Sequence, residues 1–67
     1  MLTLRDANML RTSLKIKFSN YSWYVGSMII PNTSGYTIVV NVNNLNNRVR
    51  KVIPPVIDGI DIKVEVV

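Results

Sequence analysis

The chain contains neither cysteine nor histidine. Without cysteine there is no disulfide framework and no thiolate metal site. Without histidine the commonest general base is gone, and with it the Ser-His and Cys-His nucleophile pairs. The usual nitrogen and sulfur ligands of zinc are missing for the same reason. Glycine is scarce as well: the three glycines stand alone at 26, 35 and 59, so no glycine-rich phosphate loop is spelled out. Acidic residues number four against eight basic ones, and only Asp58 and Asp61 lie close together. A carboxylate pair can transfer protons or hold a metal, but Asp58 reads as a turn residue and Asp61 as the solvent side of a strand. The sequence therefore predicts no enzyme, no catalytic residue, no cofactor, no metal and no small-molecule substrate.

Long apolar runs are also lacking. Phe18 to Asn47 carries no formal charge, yet asparagines, Pro31 and Gly35 interrupt it well before the 18 or so apolar residues of a membrane span. Arg5 and Asp6 stand where a signal peptide would begin its apolar region. The glycosylation triplets Asn20-Tyr21-Ser22 and Asn32-Thr33-Ser34 read as chance in a chain with eight asparagines. Small secreted domains usually lean on disulfides, so the expectation is an intracellular, cytoplasmic protein away from membranes, or one stabilised by self-association.

What remains is ordinary globular composition, 48% hydrophobic and 18% charged, in 67 residues. That is one domain with a thin core. Thr3 and Asp6 suit a helix start, and Leu2 can staple onto Ala7. Leu4, Ala7, Leu10, Leu14 and Phe18 recur at helical spacing, which predicts a helix over about 3–17. Leu14, Ile16 and Phe18 also alternate with Lys15 and Lys17, so an end near Ser13 followed by extended chain is the other reading. Residues 21–30 read as a strand, 31–35 as a dense turn, and Tyr36 onward as a strand with Tyr36, Ile38, Val40 and Val42 on one face.

Asn43 or Asn44 suits the cap of a short helix carrying Leu45, Val49, Val52 and Ile53 on one side, and Pro54-Pro55 ends it. Asp58-Gly59 turns the chain into a last strand, in which Ile60, Ile62, Val64 and Val66 alternate with Asp61, Lys63 and Glu65. The predicted fold is a two-layer α+β domain in the order α-β-β-α-β. Its three-stranded mixed sheet has the third strand antiparallel beside the first, and both helices lie on one face.

Two surfaces invite partners. By alternation Val39 points away from the helices, and the first strand must send there either Trp23, Val25 and Ile29 or Tyr24, Met28 and Ile30. Two helices cannot cover both faces of the sheet, so an apolar patch around Trp23, Tyr24, Met28 and Val39 is expected to bind a second copy or another protein. The second surface is basic. Residues 1–57 hold seven cations and one acid, Asp6. The densest group is Arg48, Arg50 and Lys51; with Lys15, Lys17 and nearby aromatics it would pair phosphates with base stacking in a nucleic-acid-binding module. The plainer alternatives are that these cations keep a small protein soluble and that the aromatics fill the core.

The tail from Ile53 through Pro54, Pro55, Ile57, Asp58, Gly59, Ile60 and Ile62 to Val64 resembles a signature, I-P-x-x-I-D-G-[IV]-x-[IV], found in uncharacterised microbial proteins. There it follows a β-hairpin and sometimes precedes a trypsin-like domain. Gly35 to Val42 resembles the second hairpin strand of that group. The resemblance implies a strand-helix-strand order and, by analogy, a protease pro-segment or inhibitor role. It brings no catalytic residue with it.

Overall fold

The structure is a computed structural model describing residues 3–33 and 35–67. Six elements follow one another: α1 (Leu4–Phe18), β1 (Tyr24–Asn32), β2 (Gly35–Val42), α2 (Asn47–Val52), β3 (Val56–Ile57) and β4 (Ile60–Val66). The domain is α+β, and the sheet is mixed. It has four strands in the order β1-β2-β4-β3, where the sequence suggested three.

The Thr3 hydroxyl accepts the Asp6 amide at 3.2 Å, and the Asp6 carboxylate accepts the Thr3 amide at 3.0 Å. This reciprocal box satisfies two helix-end donors that would otherwise lack partners. The expected staple from Leu2 lies outside the described residues. Helix α1 runs unbroken to Phe18, which rules out the extended ending. Tight turns follow, in which the Phe18 carbonyl accepts the Tyr21 amide and the Tyr21 carbonyl the Tyr24 amide. They occupy the chain up to Tyr24 and delay the first strand by three residues from the expected start.

The last strand does not lie beside the first. β4 pairs with β2 in parallel, Ile38 opposite Ile62 and Val40 opposite Val64, while β1 pairs with β2 antiparallel. The reason is visible in the residues. Ile38, Val39 and Val40 are all fully buried, as a central strand requires. β1 carries Gly26 and Pro31, residues suited to an edge. A strand-helix-strand segment of β2, α2 and β4 also favours parallel neighbours. The extra strand, β3, is a two-residue hairpin arm in which Ile57 faces Ile60 across Asp58-Gly59. Both turn residues have positive φ, 51° and 80°, as the commonest two-residue hairpin turn demands.

One core cluster joins Ala7, Leu14 and Phe18 of α1 to Val49 of α2 and the adjoining Ile53. Ile38, Val40 and Val42 of β2 and Ile60 and Ile62 of β4 complete it. Both helices thus share one core with one face of the sheet. Helix α2 is capped by Asn46, whose side-chain oxygen accepts the Val49 amide at 3.1 Å. The cap is therefore neither of the expected residues, Asn43 or Asn44. Asn43 is engaged elsewhere, since its backbone amide bonds the Trp23 carbonyl and its side chain the Ser22 carbonyl.

Candidate functional site

The expected apolar patch of Trp23, Tyr24, Met28 and Val39 does not assemble. A β-bulge between Tyr24 and Gly26 shifts the register of β1, with Tyr24 opposite Val42 and Gly26 already opposite Asn41. A bulge adds one residue and reverses the parity of everything before it. Neither alternation set expected for β1 is therefore correct. Tyr24 and Ile29 both pack against the helix-side core, as does Trp23 just ahead of the strand. Met28 and Ile30 remain 45% and 42% exposed, and Val25, within the bulge, 55%.

Val39 does point away from the helices but is 0% exposed, so it cannot be a contact residue. Its neighbours in register are Met28 on β1 and Lys63 on β4. Both have long stems able to lie over a small side chain while the lysine amine stays in water.

The sheet therefore ends in a nine-residue edge strand, β1, with Val25, Met28 and Ile30 exposed and no charge along its length. Pro31 indicates which backbone groups face outward. Proline lacks an amide proton, so its nitrogen is tolerated only on the side away from the ladder. Period two then turns the amide and carbonyl of Ser27 and Ile29 to the same free side. On the sheet face opposite the helices, charge sits on β4, two strands from this edge, where Lys63 and Glu65 pair at 3.5 Å beside Asp61.

The basic residues divide as well. Lys15 and Lys17 lie exposed on α1, and Arg48, Arg50 and Lys51 lie exposed on α2. Arg48 and Lys51 line a groove of about 710 Å³ together with Tyr21 and Trp23. Arg50 and Lys15 are not among the groove's lining residues. Lys17 turns back instead, with its amine 5.9 Å from the centre of the Phe18 ring. The Tyr21 and Trp23 rings stack at 4.9 Å and 23°, and Phe18 supports them from the core side at 6.3 and 5.7 Å. A more open hollow of about 950 Å³ runs along α1 to Asp58 and Ile60, but among the described residues no aromatic lines it and its charges, Arg5, Asp6 and Asp58, are of mixed sign.

Among the described residues no group of three or more acidic, histidine or cysteine side chains gathers that could hold a metal. No helix among them is long and apolar enough to cross a membrane. A scan against family models and searches of curated proteins and of solved structures return no match for this chain.

Proposed function

We propose that this protein is a non-enzymatic interaction domain that self-associates edge to edge through β1. The carrying observation is that long, uncharged, partly apolar edge strand with one side of its backbone unpaired. Natural sheets protect such edges with lysine, proline or bulges, because unpaired amides and carbonyls recruit another strand. Here the bulge at Val25 and the proline at position 31 bound the edge at its two ends, and nothing of the kind lies between them.

The register follows from the outward groups. An antiparallel copy pairs most of them when Ser27 of one chain faces Ile29 of the other. Met28 then falls on the two-fold axis opposite its own counterpart, on the face away from the helices. Two four-stranded sheets would become one of eight strands, with the charged row of β4 far from the axis. Uncharged edges meet without repulsion, and the Met28 pair adds apolar contact.

Light scattering or sedimentation of the purified protein tests this. The expected mass is twice the 7.6 kDa of one chain. Met28→Lys sets like charges opposite each other and should return the monomer. A wild type that is monomeric at high micromolar concentration would sink the reading.

A further inference from the structure

Independently of the β1 edge, we propose that the groove between Tyr21, Trp23, Arg48 and Lys51 is a binding site for single-stranded nucleic acid. A base would stack on Tyr21, and Arg48 and Lys51 would take the adjoining phosphates.

Aromatic surface comes first. Tyr21 and Trp23 already form a short stack, and Tyr21 remains 42% exposed, so a base added to its free face continues that stack. Such stacking accepts any base, because every base has a π-face. Charge comes second. Arg48 and Lys51 are three residues apart on α2 and so share one face of the helix. Among the described residues the one ion pair is Lys63–Glu65, so neither cation is neutralised by an acid. Among the described residues no carboxylate lines the groove, and Asn20, Asn43, Asn44 and Asn46 complete its polar lining. Aromatics with cations and no acid suit an anionic, planar ligand better than a sugar or an acid-free peptide.

Preorganisation comes third. The Asn43 side chain donates to the Ser22 carbonyl at 3.1 Å, and its backbone amide donates to the Trp23 carbonyl at 2.9 Å. The loop leading to α2 is thereby tied to the segment bearing the aromatics. Phosphate ligands and stacking platform are held together before a ligand arrives, which reduces the ordering that binding would otherwise require.

Trp23 is the chain's single tryptophan, so its fluorescence reports on this groove alone. The intact protein is titrated with short oligothymidylate at several salt concentrations. Saturable quenching is expected, with the logarithm of affinity falling against the logarithm of salt at a slope of about −1.4 for two phosphates. Arg48→Ala and Lys51→Ala should each reduce that slope by about 0.7, while Arg50→Ala, the same charge change outside the groove, leaves it unaltered. Tyr21→Ala should weaken binding roughly tenfold or more. Its circular dichroism is compared with wild type, and the exposed Arg48 and Lys51 variants decide the matter if that aromatic change disturbs folding. Met28→Lys should quench as wild type does.

Three outcomes would overturn the proposal. One is no quenching at low salt. Another is an equal effect of Arg50→Ala and Arg48→Ala, which marks mere net-charge attraction. The third is equal quenching by inorganic polyphosphate or by a blunt duplex, since neither offers an unstacked base.

Discussion

Val39 shows how much a single side chain's surroundings decide. Its alternation with Ile38 and Val40 marks it as outward-facing, and outward it is, but a central strand buries even its outward residues when the flanking side chains are long. Val39→Asp therefore probes folding and not association. An uncompensated buried charge costs on the order of 3–5 kcal/mol. A domain of this size has only about 3–10 kcal/mol in all. Circular dichroism should find the variant largely unfolded or strongly lowered in Tm, and a wild-type melting curve would refute the burial.

Asp6 is the opposite case, an exposed residue with a defined task. The Thr3 backbone amide first, and the Thr3 hydroxyl second, hold its carboxyl below the ordinary value of 3.8. A lowered folded-state value means that the ionised form stabilises the fold above pH 3.8 and that this contribution disappears as pH falls through the folded value. Chemical denaturation across that acid range should show the stability difference between wild type and Asp6→Asn shrinking as pH drops. A difference independent of pH would place the carboxylate's role elsewhere.

At the level of elements, legibility tracked local chemistry. The start of helix α1 is legible because its cap and its apolar spacing agree, whereas its end is not, because Leu14, Ile16 and Phe18 also alternate with Lys15 and Lys17. Asp58-Gly59 was readable as a turn, but the two residues before it are too few to show a period, so β3 was invisible. The bulge at Val25 was equally hidden, since nothing in Trp23-Tyr24-Val25-Gly26 announces which residue drops out of register. That single irregularity places Trp23 and Tyr24 on the helix side and leaves Met28 on the other, so the expected patch spans both sides of the sheet. The tie between Asn43 and the Ser22 carbonyl, which fixes the groove, joins residues too far apart in sequence for spacing to reveal. The cations and aromatics themselves were legible from composition; their division between groove and open surface was not. The turn makes its own prediction. Gly59 sits at φ 80°, where a side chain costs about 1–2 kcal/mol. Gly59→Ala should lower the unfolding free energy by that amount, read as a lower denaturant midpoint with an unchanged slope, and no loss would mean that the turn relaxes.

For the whole molecule, the order of strands departs most from expectation, though Ile38, Val39 and Val40 in succession argue for a central position. With β2 central, β1 becomes an edge, and the proposed dimer acquires one geometry that chemistry can trap. The chain has no cysteine of its own, so Met28→Cys introduces one thiol per protomer. Opposed residues in a pair without mutual hydrogen bonds lie about 4.5 Å apart between Cα atoms, within disulfide range. Mild oxidation should give a covalent dimer from Met28→Cys faster than from Val25→Cys. Equal rates for the two would point to random collision and against the register.

The parallel pairing of β4 against β2 also sets a chronology. The β1–β2 hairpin closes locally, on the microsecond scale typical of hairpins. β4 can join only after residues 43–59 have looped back, an entropy cost met late in the search. The topology thus predicts an early half and a late half of folding, divided by α2. In stopped-flow kinetics Val40→Ala should slow folding, whereas Ile62→Val should chiefly hasten unfolding. The strand that completes the core is then also the first to leave it.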